Sequence, residues 1–155
     1  MTQAAPARSA KQRKQDTLAR LETDVDAWVA TAGAEGGQPY LMPLSFLWQD
    51  GHVHVSTRAT NPLARNLLAT GRVQLTLGET RDVVRIVGEA EVVPDAEATT
   101  AFCDTFAAKC GFDPRDSAGP YPYFRIRPLL VQAWREVNEI ADRDLMRDGE
   151  WLVED

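Results

Sequence analysis

"HVHVSTRATNPLARNLLATGRVQLTL", residues His52–Leu77, contains two strand patterns with a helix pattern between them. Apolar residues alternate with other residues in HVHVST and again in RVQLTL, which is the period of a β-strand. Between these runs, Asn61 is a favoured N-cap, Pro62 suits the first helical position and Gly71 suits a helix end. The segment therefore predicts a strand, a short helix and a second strand.

Further strand patterns lie on both sides of this segment. They occupy DAWVATA, YLMPLSFLWQ, DVVRIVGEAEVV and YFRIRPLLVQAWRE, and Asp50–Gly51 is a strong hairpin signal. Helix patterns occur in KQRKQDTLARLETD and from Pro94 to Cys110, and Pro128 marks a strand edge, bulge or bend. Six strands, most of them joined by short turns, predict a mainly β fold with α additions: a six-stranded antiparallel barrel rather than a parallel βαβ sheet.

Length and charge limit the classes of protein to consider. The chain has 155 residues and a net charge of −6, which suits one globular core with no affinity for nucleic acid. No apolar run is long enough for a bilayer and the N-terminus lacks a secretory signal, so we expect no membrane contact and a cytoplasmic location. We divide the chain into a basic arm and helix (1–24), a barrel domain (25–137) and a tail with a possible small hairpin (138–155).

The basic residues of the arm are Arg8, Lys11, Arg13 and Lys14. Such a run is expected to be solvated and partly disordered, and the alternative is an arm that folds over an anionic ligand.

The cysteines and histidines do not form an evident catalytic or metal site. Cys103 and Cys110 are seven residues apart in a helix pattern, so we expect two core-facing thiols without a disulfide. His52 and His54 alternate on one strand face and are predicted to be exposed, with no carboxylate nearby in the sequence. We therefore predict no metal and assign no catalytic side chain.

Four stretches in this order resemble the split-barrel flavoproteins related to pyridoxamine 5′-phosphate oxidase: PLSFLW, VSTRATNPLARNL, VVRIVGEAEVV and YFRIRPLLVQAW. The resemblance extends from about Trp28 to Trp134 and is greatest to small oxidoreductases that use FMN or the deazaflavin F420. It implies a split barrel that forms a homodimer, with the cofactor in a groove at the interface. It also implies that a hydride passes between the cofactor and a small electron-poor organic acceptor.

The resemblance also implies which residues hold the cofactor. Its ring would rest on PLSFLW, its phosphate would bind where the strand ends and the next helix starts, and Trp134 would lie at the interface. A helix start suits a phosphate because its first N–H groups are unpaired and the helix dipole is positive there. The implied cofactor-binding residues are Pro43, Leu44, Ser45, Ser56, Thr57, Arg58, Thr60, Asn61, Arg65, Asn66 and Trp134.

One departure from the family pattern affects the choice of cofactor. Many relatives carry Ser-Arg-Lys at the helix start, where this chain has Asn61, Pro62 and Leu63. Fewer cations suit the singly charged phosphodiester of F420 better than the phosphomonoester of FMN, and the basic arm would then meet the anionic tail of F420. The alternatives are a non-catalytic protein that holds a flavin, a deazaflavin or haem, and a dimeric interaction module without a ligand.

Overall fold

The computed structural model describes residues 3–155, in which nine strands form one antiparallel sheet. The strands are β1 (Asp26–Gly33), β2 (Gly36–Ser45), β3 (Leu47–Gln49), β4 (His52–Ser56), β5 (Arg72–Leu77), β6 (Val83–Val92), β7 (Tyr123–Trp134), β8 (Asp144–Arg147) and β9 (Glu150–Trp151). The helices are α1 (Ala10–Thr23), α2 (Pro62–Thr70), α3 (Thr100–Cys110) and α4 (Val137–Ile140), with a 3-10 turn at Pro114–Asp116.

The strands follow the order β2–β1–β5–β6–β7–β4–β3, and the hairpin of β8 and β9 is attached to β7. The sheet curls until β2, at one end of this order, contacts β4 near the other. The predicted mainly β split barrel with added helices is therefore confirmed. None of the helices within residues 3–155 is long and apolar enough to span a membrane.

The predicted number of six strands is too low, for two reasons. The apolar run YLMPLSFLWQ forms two strands because Phe46, which is fully buried, donates its N–H to the Val25 carbonyl at 2.9 Å and leaves the ladder. The tail adds β8 and β9 around Asp148–Gly149, where both residues have positive φ, as they do at Asp50–Gly51. Asp-Gly is favoured at such turns because both central residues need this conformation.

Helix α2 packs its apolar face against β1 and neighbouring strands of the sheet. Leu63, Ala64 and Leu67 are buried and belong to the same apolar cluster as Val29 and Leu75. Burying a leucine side chain stabilises the fold by roughly 1.5–3 kcal/mol, so this face fixes the helix against the barrel.

The prediction that the basic residues of the N-terminal arm are solvated is wrong for three of the four, because Arg8, Arg13 and Lys14 bind distant parts of the chain. Arg8 forms a 2.8 Å ion pair with the buried carboxylate of Glu139. Arg13 Nη1 donates to the Ala133 carbonyl at 3.2 Å, and Lys14 Nζ bonds to the Val153 carbonyl at 2.9 Å and to Asp155 at 2.6 Å. The arm therefore has few free cations for an anionic ligand.

The predicted helix from Pro94 to Cys110 starts later than expected. Thr99 is the N-cap, and its hydroxyl accepts from the Phe102 N–H at 3.1 Å, so α3 begins at Thr100. Cys103 and Cys110 are buried, free thiols in an apolar cluster with Phe106, as predicted.

A bulge bends β7 at Pro128. The register of β6 with β7 shifts between Val87 and Gly88, so that Leu129 is the extra residue and Pro128 lies opposite Gly88. A Cβ on Gly88 would lie 2.6 Å from the Arg127 carbonyl oxygen, which is closer than real Cβ contacts allow. The bulge therefore requires glycine at residue 88.

We expect Gly88→Ala to lower the free energy of unfolding by about 1–3 kcal/mol, because the added methyl group must displace the β7 backbone. Urea unfolding followed by circular dichroism measures the change. Gly33→Ala is the matched control, since a Cβ there meets its nearest atom at 3.4 Å. Equal stability of the two variants would contradict the close approach at Gly88.

Candidate functional site

The end of β4 and the start of α2 bring together most of the predicted phosphate-binding residues. The Ser56 hydroxyl donates to the Pro122 carbonyl at 2.8 Å, and Thr57 Oγ1 accepts from Asn61 Nδ2 at 2.9 Å. Ser56 and Thr57 are both buried. These two hydroxyl groups therefore already have protein partners, whereas Thr60 is exposed.

Asn61 is the N-cap of α2, but it does not cap the helix with its side chain. Its backbone is extended and its amide group bonds to Thr57 instead. Leu63 is 2% and Ala64 0% exposed, so their N–H groups do not open onto solvent, and Pro62 has no N–H. A phosphate at this helix start would therefore be held mainly by side chains.

Arg58 and Arg65 supply the charge at this place. Both are exposed, and neither guanidinium has a hydrogen-bond or salt-bridge partner within residues 3–155. Most other cations of this acidic chain are paired with carboxylates or carbonyl groups. Over the same range, the lysine and arginine side chains without a polar partner are Lys11, Arg58, Arg65 and Arg72. Three of these four cations lie on or beside α2.

Asn66 lies on α2 but faces away from the helix start. Its Nδ2 donates to Thr31 Oγ1 of β1 at 3.1 Å, so its amide group holds α2 against the sheet. Asn61 and Asn66 thus have different partners, since the Asn61 amide bonds to Thr57 in the loop before the helix.

Pro43, Leu44 and Ser45 lie on β2, the strand at one end of the sheet order. β2 pairs with β1 only, so within residues 3–155 its other edge has no strand partner. The Ser45 hydroxyl donates to Asp26 Oδ1 at 2.7 Å, and Leu44 packs against the core. The free backbone edge of β2, rather than the Ser45 hydroxyl, is thus the open hydrogen-bonding surface here.

Trp134 lies apart from the other predicted residues. It is at the end of β7, eleven residues along the strand from Tyr123, which pairs with Ser56. The Arg143 guanidinium lies 5.9 Å from its ring centroid. In the strand order, β6, β5 and β1 lie between β7 and β2.

The prediction of two exposed histidines is wrong for His54. Helix α3 covers this face of β4, and the Phe102 ring lies 5.1 Å from the His54 ring. His54 is 5% exposed, its Nδ1 atom has no partner, and burial lowers its pKa from 6.5 to about 4. His54 is therefore uncharged near neutral pH. No group of side chains suited to a metal ion occurs in residues 3–155.

A groove of about 700 Å³ lies on the outer face of β1, β5 and β6 and was not predicted from the sequence. The sequence of β1 does contain an indication of this groove, because Ala30 and Ala32 occupy outward positions where a solvated strand would have polar residues. Arg72, directly after α2, lines this groove, and so does Thr31, the partner of Asn66.

The sequence matches the pyridoxamine 5′-phosphate oxidase family over residues 15–135. No curated protein matches it. Among solved structures, a FAD-binding protein from Mesorhizobium loti superposes with a TM-score of 0.60 at 22% identity, over 78% of this chain and 88% of that protein.

Two further structures share the fold. A candidate pyridoxamine 5′-phosphate oxidase from Listeria innocua has a TM-score of 0.65 at 13% identity, over 79% of this chain and 98% of that one. An F420 reductase has a TM-score of 0.57 at 19% identity, over 73% of this chain and 93% of that one. Identities this low establish a shared fold only.

We expect the free energy of unfolding to fall as the pH drops from about 6.5 to about 5, by an amount on the order of 2 kcal/mol. The reason is that the unfolded chain binds a proton at His54, whereas the folded chain excludes it until about pH 4. Urea unfolding across this range measures the slope. His54→Gln should remove most of the slope, and the control His52→Gln should retain it. An unchanged slope in His54→Gln would contradict the burial effect.

Proposed function

The chain belongs to the pyridoxamine 5′-phosphate oxidase family, and on this basis we propose that it is an oxidoreductase. It transfers a hydride between a bound F420 or FMN and a small electron-poor organic acceptor. The observation that carries this proposal is that two guanidinium groups beside the start of α2, those of Arg58 and Arg65, have no polar partner in residues 3–155. In a chain of net charge −6, free cations at one place favour an anionic ligand there.

The residues present fit a phosphate group of low charge. Each guanidinium contributes about 1.5–3 kcal/mol through a charge-assisted hydrogen bond, and the exposed Thr60 hydroxyl adds a neutral one. Ser56 and Thr57 are already bonded, and the first turn of α2 is covered. Two cations with few additional donors favour the phosphodiester of F420 over the phosphomonoester of FMN.

The free edge of β2 is the proposed place of the cofactor ring. Backbone N–H and C=O groups near Pro43, Leu44 and Ser45 would bond its polar edge, as an added strand would. The bound cofactor would supply the hydride chemistry, while the chain positions the ring. We assign no side chain as a proton donor, and solvent fills that role.

We propose that the protein acts as a homodimer with the cofactor at the interface. The supporting observation is an apolar surface on the outward face of β1 and β2, where Trp28 is 48% and Leu41 57% exposed. Exposed apolar side chains that adjoin one another favour burial against a partner. In such a dimer, Trp134 would contact the cofactor bound by the second chain. The proposed location is the cytoplasm, which keeps Cys103 and Cys110 reduced.

The second candidate is a non-catalytic protein that holds a flavin, a deazaflavin or haem as a sensor or carrier. The covered first turn of α2 and the bonded hydroxyls of Ser56 and Thr57 favour it, because they leave fewer groups for a phosphate. Mixing the protein with reduced F420 or FMN and a panel of enones and quinones separates the two. Multiple turnovers support the enzyme, and binding without turnover supports the carrier.

We expect dialysed protein to bind F420 more tightly than FMN when cofactor fluorescence is followed in a titration. Arg58→Ala should weaken F420 binding by about 10- to 150-fold, since it removes one charge-assisted bond, and should leave the melting temperature unchanged. Lys11→Ala is the matched control, because Lys11 is another unpaired cation on a different helix.

Tighter binding of FMN than of F420 would overturn the preferred cofactor. An unchanged affinity in Arg58→Ala, together with a lower melting temperature, would make Arg58 structural and the phosphate site wrong. If the protein bound neither cofactor, the proposed function would fail.

A further inference from the structure

The groove on the outer face of β1, β5 and β6 has an apolar wall and a volume of about 700 Å³. Volumes of about 300–1,000 Å³ are typical of sites for small organic molecules. Its apolar lining residues are Ala30, Ala32, Pro39, Val73, Val87 and Leu129.

Two features make this face concave: small side chains on β1 and a bulge in β7. The outward residues of β1 are small at Ala30 and Ala32, whereas the next outward residue along the strand is Trp28. The bulge at Gly88 pushes Leu129 out of the β7 ladder, and this residue forms part of the wall. The hollow is therefore built into the sheet.

The charged and polar groups around the groove are paired, with one exception. Glu89 binds Arg127 Nη2 at 3.0 Å, and Gln74 Oε1 accepts from Arg85 Nη2 at 2.8 Å. Arg72 lies directly opposite Glu89 in the register of β5 and β6, yet its guanidinium has no partner in residues 3–155. One cation without an anion is thus left beside an apolar wall.

We propose that this groove binds an apolar carboxylate, with Arg72 as its anchor. The hydrocarbon or aromatic part of the ligand packs against the apolar wall, and its carboxylate forms a bidentate ion pair with the Arg72 guanidinium. Arginine suits this role because its planar fork matches the two carboxylate oxygens. Glu89 is bound to Arg127 and does not pair with Arg72. A carboxylate ligand would provide the missing negative charge for Arg72.

The groove adjoins the proposed cofactor site through one hydrogen bond. Thr31 lines the groove, and its hydroxyl accepts from Asn66 Nδ2 of α2. Binding of a carboxylate in the groove does not depend on the proposed function.

Calorimetric titration with 2-naphthoate and with the neutral 2-naphthalenemethanol tests the proposal. Wild-type protein should bind the carboxylate, Arg72→Gln should weaken that binding at least about tenfold, and Arg72→Lys should restore part of it. Lys11→Gln, which removes the same charge elsewhere, should bind as the wild type does. The alcohol should bind wild type and Arg72→Gln equally. Ala32→Trp, which fills the groove, should lose both ligands.

Equal affinity of wild type and Arg72→Gln for 2-naphthoate would overturn the proposal, and so would the absence of binding up to the solubility of the ligand. Sedimentation of the wild type and of Ala32→Trp tests whether a second copy of the chain, rather than a small molecule, occupies the groove. If naphthoate does not bind and Ala32→Trp converts a dimer to a monomer, the groove belongs to an interface between two copies. Failure of F420 and FMN to bind, with naphthoate still bound, would overturn the proposed function and leave this inference standing.

Discussion

Strand β7 pairs with β6 along most of its length, and its other edge is shared by two different strands. Residues 123–126 pair with β4, whereas Val131 and Gln132 pair with β8. Pro128 lies between these halves and has no N–H to donate, so an unbroken ladder on that edge is not available. The bulge at Leu129 lets the strand bend there and change partners. The bend thus allows β4 and the hairpin of β8 and β9 to share one edge of β7.

The bend also determines where the candidate sites lie. On the β4 side, Ser56 is held by the Pro122 carbonyl just before β7, and this contact fixes the start of the loop that leads to α2. On the opposite side, Leu129 forms part of the groove wall, and its carbonyl accepts from the Gly149 N–H at 2.9 Å. The phosphate site and the groove thus share a single framework, although different residues line them.

Local sequence patterns predicted much of the secondary structure correctly because short-range interactions govern those elements. The alternation in β4 and β5, the Asp50–Gly51 turn and the bounds of α2 from Asn61 to Gly71 all follow from nearby residues. The errors arose where distant contacts dominate. Whether Arg8 is solvated is decided by Glu139, 131 residues away, and whether His54 is exposed is decided by α3. That the Arg58 and Arg65 guanidinium groups have no polar partner could not be predicted either, because such a prediction requires the position of every carboxylate.

Helix α1 holds its buried cations against residues that lie far away in the sequence. Arg13 and Lys14 find their carbonyl acceptors 120 and 139 residues later in the sequence. Contacts over such separations close long loops, whose entropy cost must be met before the contacts can form. We therefore expect α1 to gain these bonds only after folding has brought the segments around Ala133 and Val153 next to it, later than the local hairpins form.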